Sequence, residues 1–147
     1  MLIKTNSENP DFQKLTHQFD DFLVEIDGDE KDFFAQYNQI YLDYVLIYYE
    51  DGQAVGCGAF KVYEGDVAEI KRMFVVPEKR GKGIARGILN ELELWAKASG
   101  FNFCLLETSK KLTSAIALYH TAGYVVVPNY GQYQGVDSSV CMKKTKK

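Results

Sequence analysis

Apolar positions recur along this chain with two different periods. Phe12, Leu15, Phe19, Phe22, Leu23 and Ile26 follow a helical spacing. Asn9-Pro10 stands just before them, an Asn suited to cap the first turn and a Pro suited to the first helical position. A helix is therefore predicted here, broken by Asp27-Gly28-Asp29. Phe33, Phe34, Tyr37 and Ile40 predict a second short helix, and Leu2 to Lys4 a short first strand. From Tyr44 the character changes. Val45-Leu46-Ile47-Tyr48-Tyr49 is rich in β-branched and aromatic residues, as strands are. Asp51-Gly52 is a hairpin signal, a strand follows from about Ala54 to Tyr63, Gly65-Asp66 turns again, and Val67 to Val76 is a third strand. Residues 44 to 76 thus predict an antiparallel meander.

The second half alternates strands with helices. Ile84, Ile88, Leu89, Leu92 and Trp95 share one helical face, with Gly100 as the stop. Phe101 to Leu106 is a nearly continuous apolar run, the pattern of a strand buried on both faces in a parallel arrangement. Thr113 or Ser114 can cap a helix that runs through Thr121, with Gly123 ending it. Tyr124 to Val127 and Ser139 to Met142 are two last strands, and the basic tail from Lys143 to Lys147 is expected to be solvated.

Composition changes this picture little. A chain of 147 residues with 46% apolar residues supports one core and one domain, 1–147, and there is no repeat or linker. The net charge of −3 gives no basic field for nucleic acid. No apolar run is long enough for a bilayer, and no leader precedes the first strand, so a cytoplasmic protein without a membrane partner is expected. Cys57, Cys104 and Cys141 lie in strand-like stretches and read as buried free thiols. Their spacing, and that of His17 and His120, suggests no metal site.

The candidate chemistry lies in Val75-Val76-Pro77-Glu78-Lys79-Arg80-Gly81-Lys82-Gly83-Ile84-Ala85-Arg86, between a strand and a helix. The first turn of a helix offers unpaired N–H groups and a partial positive charge. Glycines let a ligand approach the backbone, and Arg80, Lys82 and Arg86 add charge, so the stretch can seat a pyrophosphate. It is no Walker A loop, because Ile84 follows Gly83, and no dinucleotide fingerprint, because Arg86 stands where the third glycine belongs.

Arg80-Gly81-Lys82-Gly83-Ile84-Ala85 resembles the [QR]-x-x-G-x-[GA] loop of the GNAT N-acetyltransferase superfamily, with Val75-Val76-Pro77 matching the V-x-P that precedes it. Ala115 to Tyr124 matches the family's later A-x-x-L-Y-x-x-x-G-[FY] segment at every fixed position. The resemblance is strong over residues 44 to 127. It implies an α/β (α+β) single-domain fold: a mixed, mostly antiparallel sheet flanked by helices, with a splayed parallel strand pair. It implies acetyl-CoA as co-substrate, no metal, and acetyl transfer to an amine. Met73, Phe74 and Val75 would pair with the pantetheine and thioester through their backbone. Residues Arg80, Gly81, Lys82, Gly83, Ile84, Ala85 and Arg86 would hold the pyrophosphate. Tyr119 stands where the family often has the proton donor to the departing thiolate. One departure is Leu112, where many relatives carry a cofactor-contacting Asn; Ser109 or Ser114 is a substitute.

The attacking amine must lose a proton, which a carboxylate can take, directly or through water. Glu69 and Glu107 are the candidates; each also has a structural reading as an ion-pair partner of Lys71, Arg72 or Lys110. Tyr119 likewise has a reading as a core tyrosine. Tyr130, Gln132 and Tyr133, in the polar and aromatic link between the last strands, either read the acceptor or simply pack the hairpin. A small-molecule amine is the expected acceptor. A protein N-terminus or lysine, and a non-catalytic acyl-CoA-binding domain, remain open, and so does a homodimer.

Overall fold

A computed structural model of the protein describes residues 1–27 and 41–145. The second short helix expected around Phe33, Phe34, Tyr37 and Ile40 lies outside the described residues. Along the chain run β1 (Leu2–Thr5), α1 (Pro10–Asp27), β2 (Tyr44–Glu50), β3 (Gln53–Glu64), β4 (Val67–Val75), a 3-10 turn at Pro77–Lys79, α2 (Ile84–Ala98), β5 (Phe103–Ser109), α3 (Thr113–Thr121), β6 (Val125–Val127), a 3-10 turn at Gly131–Tyr133, and β7 (Ser139–Thr145). The strands form one sheet in the order β1-β2-β3-β4-β5-β7-β6. β4 and β5 are parallel, and every other pairing is antiparallel.

The alternation along β2 decides which helix covers which face. Leu46 points into one core with Phe60, Ile70, Ile88, Leu89, Leu92 and Tyr124. Val45 and Ile47 point to the other side, where Phe12 and Leu15 of α1 pack with Cys57, Ala59 and Phe74. Each fully buried Leu or Ile contributes about 1.5–3 kcal/mol. α2 sits very close to the sheet. A Cβ at Gly58 would lie 2.6 Å from Met73 Sδ and 2.9 Å from both Ile88 and Leu92, so any side chain there would force these neighbours to shift.

Local signals explain most boundaries. Asn9 Oδ1 accepts the N–H groups of Asp11 and Phe12, capping α1 as expected. Asp51 and Gly52 both have positive φ, 52° and 80°, as a tight hairpin turn requires. Two expectations are corrected. α3 is capped at Leu112 with no side-chain hydrogen bond, so neither Thr113 nor Ser114 serves. The basic tail is not all solvated: β7 runs to Thr145, Lys143 lies 4.5 Å over the Phe103 ring, and Lys144 pairs with buried Glu93 at 3.0 Å.

Two irregularities in β4 shape the rest of the molecule. The register with β3 passes from Cys57↔Phe74 to Ala59↔Lys71, so Arg72 and Met73 together face Gly58 in a bulge. Arg72 takes φ +58°, a left-handed conformation that costs a non-glycine residue about 1–2 kcal/mol. Its side chain offsets that cost: Nη2 donates to the Thr16 carbonyl and to Asp20, each at 2.8 Å, and the guanidinium lies 4.9 Å from the Phe19 ring. The second irregularity is on the other edge. The parallel ladder covers only Val67↔Phe103, Ala68↔Cys104 and Glu69↔Leu105.

Candidate active site

Beyond Glu69 and Leu105 the two parallel strands part, and a cleft of about 640 Å³ opens between them. This lies within the range of small-molecule sites, about 300–1,000 Å³. One wall is β4 from Glu69 to Val75, and the other is β5 from Leu106 to Ser109. Phe19, Phe22, Leu23 and Ile26 of α1 supply an apolar side. The start of α2, residues Lys111 to Ala115, Leu118 and Tyr119 around and on α3, and Tyr133 also line it.

At one end the cleft meets the N-terminus of α2. Gly83 is the N-cap with φ 83°; no side chain caps the helix and no acidic residue stands in its first turn. A Cβ at Gly81 (φ 80°) or Gly83 would meet nothing within 4 Å. Gly81, Gly83, Ile84, Ala85 and Arg86 line the cleft, so this is an open cradle of backbone donors suited to an anion. The cations around it are not equivalent. Arg80 is fastened in place: its Nε donates to the Val75 carbonyl at 2.8 Å, and its guanidinium lies 4.8 Å from the Phe22 ring. Arg86 lines the cleft and bonds Asn90 at 3.3 Å. Lys79 also lines it, paired with Glu50 at 2.6 Å. Lys82 is exposed and is not part of the lining.

Met73 is the second residue of the bulge and Phe74 and Val75 follow it, on the stretch of β4 whose β5-facing edge has no strand beside it. Tyr119 is buried and faces the same cleft. Burial, with the Glu107 charge adding to it, pushes its phenol far above the usual tyrosine value. Glu107 accepts a 2.6 Å bond from Ser139 Oγ. Glu69 is 2% exposed and accepts a 2.7 Å bond from the Tyr130 hydroxyl.

The alternative reading of Glu69 as an ion-pair partner of Lys71 or Arg72 has no ion pair behind it among the described residues. Arg72 pairs with Asp20 of α1 instead. Lys71 Nζ donates to the Tyr133 hydroxyl at 3.4 Å, a long bond and the single one it makes among the described residues. Burial holds the Lys71 ammonium below the usual lysine value, and the charges of Glu69 and Glu107 act the other way.

Glu69, Glu107, Tyr119 and Tyr133, from four segments, therefore meet at one cleft. Tyr130 does not line it; it stands behind Glu69, with its ring edge-on to Tyr63 and Tyr133. Gln132 is half-buried and also outside the lining. Ser109 and Ser114, the two candidates to replace the missing Asn, both line it. Sequence reasoning used Lys71 and Arg72 only as counter-ions and missed that both line the cleft. The signal was present, since Glu69 and Lys71 are two apart on a strand and so share a face.

The family model described as the Acetyltransferase (GNAT) family matches residues 8–124. The chain belongs to that family. It is 39% identical over 100 residues to the IAA acetyltransferase of Azospirillum brasilense, an alignment covering 67% of this chain and 65% of that relative. The chain thus spans just under two thirds of that protein's length. A crystal structure assigned as an acyl-CoA N-acyltransferase, from Klebsiella pneumoniae, superimposes with a TM-score of 0.86 at 27% identity, over 100% of this chain and 97% of that one. The PaiA N-acetyltransferase of Thermoplasma acidophilum, solved in complex with coenzyme A, matches with a TM-score of 0.61 at 25% identity. That alignment covers 69% of this chain and 59% of that one. Among the described residues no helix is long and apolar enough to cross a membrane, and no group of His, Cys, Asp and Glu could hold a metal ion.

Proposed function

We propose that this protein transfers the acetyl group of acetyl-CoA to a primary amine of a small molecule, by direct attack in a ternary complex. One observation carries the reading: an open glycine cradle at the α2 N-terminus continues into a cleft between parted parallel strands that holds Tyr119 and Glu69. Family membership and the coenzyme A complex of the PaiA enzyme support it.

The residues fit acetyl-CoA. Backbone N–H groups from Gly81 to Arg86 would take the pyrophosphate, and Arg86 adds charge. The β5-facing edge of Met73, Phe74 and Val75 would take the pantetheine as a strand takes a neighbour, and an N–H there can steady charge growing on a carbonyl oxygen. Bound acetyl-CoA supplies an activated acyl group and a thiolate leaving group.

The chain's own residues move the protons. An amine with a pKa of about 10 is mostly ammonium at neutral pH, so a base must take a proton before attack. Glu69 takes that role, held in place by the Tyr130 hydroxyl; Glu107 is the alternative base across the cleft. Tyr119 keeps its proton at all ordinary pH and gives it to the departing sulfur. Burial makes the phenol a weaker acid than in water, so the transfer depends on its close placement.

The test is CoA thiol release over a panel of small amines and of peptides, with wild type and Tyr119→Phe. Release with small amines that drops in the variant is expected. Tight acetyl-CoA binding with no release from any acceptor would sink the transferase reading, and release with peptides alone would sink the small-molecule acceptor.

A further inference from the structure

Lys71 is a buried ammonium with too few partners. It is 8% exposed and lines the cleft. Of its three donors, one makes a 3.4 Å bond to Tyr133, and no ion pair involves it among the described residues. A lysine so placed normally carries several short bonds to acceptors. Its neighbour along the same wall has a similar want: Arg72 Nη1 is buried with no hydrogen-bond partner. Two adjacent cationic side chains thus face a shortage of acceptor atoms beside one cleft.

The same cleft carries the opposite charge as well. Glu69 and Glu107 act on Lys71 through space, and both line the cavity. Glu69 accepts from the Tyr130 hydroxyl, which carries no positive charge, and Glu107 accepts from Ser139 Oγ. A bare amine would find partners in the carboxylates but would leave Lys71 as it is. A molecule carrying both an ammonium and a carboxylate would answer both ends. Its remaining substituent would face Phe19, Phe22, Leu23 and Ile26, an apolar wall.

We propose that the acceptor is an amino acid, with its carboxylate seated on Lys71 and the Tyr133 hydroxyl, its amine toward Glu69, and an apolar side chain against α1. Arg72 adds positive field from one residue further along and stays tied to Asp20. The inference rests on the acetyl-transfer reading above for the direction of the amine. The carboxylate seat itself does not depend on turnover.

Matched acceptors test it. L-phenylalanine is compared with phenethylamine, which lacks only the carboxylate, and with L-phenylalaninamide, which lacks its charge; L-leucine and isoamylamine form a second pair. With wild type, kcat/KM for the amino acids should exceed that for the matching amines by roughly 10–100-fold, the worth of a charge-assisted hydrogen bond. In Lys71→Met that preference should vanish, through a rise in KM for the amino acids that phenethylamine does not share. Lys71→Arg should restore part of it, and Tyr133→Phe should weaken it with the ammonium still present.

A Lys71 that only balances the charge of Glu69 predicts otherwise. Lys71→Met would then lower turnover of phenylalanine and phenethylamine by the same factor, and that result overturns the proposal. Amines used as well as amino acids by wild type would overturn it too. Calorimetry of L-phenylalanine and L-leucine binding to the protein saturated with CoA separates the two readings. Binding that Lys71→Met abolishes, with no turnover of any acceptor, would keep the carboxylate seat and reject acetyl transfer. Absence of such binding together with absence of turnover rejects both. Melting temperature and acetyl-CoA affinity of each variant confirm that the fold persists.

Discussion

The hydroxyl of Tyr130 donates a 2.7 Å hydrogen bond to Glu69, a carboxylate 2% exposed on β4, across 61 residues of sequence. Burial and the Glu69 charge together push the Tyr130 phenol far above its ordinary value, so it remains a donor. Tyr130→Phe leaves a buried carboxylate oxygen without its donor, a loss of about 1–3 kcal/mol. Urea unfolding should show that loss, and kcat should fall with the acetyl-CoA Kd unchanged. Equal stability and kcat in the variant would remove Tyr130 from the site.

Tyr119→Phe should lower kcat by roughly 10²–10⁴-fold, the usual worth of a positioned proton donor, and leave acetyl-CoA binding intact. Because the phenol pKa lies far above the usual tyrosine value, the wild-type pH–kcat profile should carry no alkaline limb from Tyr119 up to about pH 10. Retained kcat in the variant would make Tyr119 a packing residue.

Gly83→Ala separates the cradle from simple backbone strain. Gly83 and Gly52 have φ of 83° and 80°, and an added Cβ meets nothing at either. Each alanine should cost about 1 kcal/mol in stability. Only Gly83→Ala should also raise the acetyl-CoA Kd, because only its Cβ enters the cradle. Calorimetry that finds equal Kd for the two variants would place the pyrophosphate elsewhere.

Arg72→Ala should lose about 2–3 kcal/mol, since a buried guanidinium and its bonds to Thr16 and Asp20 disappear while φ stays positive. Arg72→Gly should be more stable than Arg72→Ala by about 1 kcal/mol, because glycine accepts the left-handed conformation freely. The reverse order would mean that the bulge moves when the side chain is removed.

Stability should fall as pH rises above about 9. Burial raises Cys57 from 9.0 to about 12 and Cys141 from 9.0 to about 11, and the bond to Asp11 raises Tyr49 from 10.0 to about 12. Between the two values the unfolded chain has lost a proton that the folded chain keeps. The folded state then binds more protons, and the slope of unfolding free energy against pH is negative. These contributions are fully present below pH 9 and disappear as pH passes through 11 to 12. Urea midpoints from pH 8 to 11 would show it, and Tyr49→Phe should flatten the upper part. A constant midpoint would contradict the burial of the thiols.

The sequence alone determined whatever depends on neighbours along the chain. The β-branched and aromatic run from Val45 to Tyr49 marked β2, Asp51-Gly52 the hairpin, Asn9-Pro10 the start of α1, and the spaced leucines and isoleucines the buried face of α2. Gly81 and Gly83, followed by the tyrosine segment, pointed to the family and to Tyr119, because a phosphate cradle and a helix-borne tyrosine are local patterns. Only the tertiary structure decided the rest. The positive φ of Arg72 follows from a bulge whose anchor lies on α1, 52 residues away from Arg72 at Asp20. The partner of Glu69 is Tyr130 rather than Lys71, because the β6–β7 link folds back over β4. Lys143 and Lys144 join a strand instead of a solvated tail, because β5 and Glu93 offer them partners. The opening between β4 and β5 depends on where a parallel ladder stops, and hydrogen bonds between strands 36 residues apart leave no mark in the local pattern of either one.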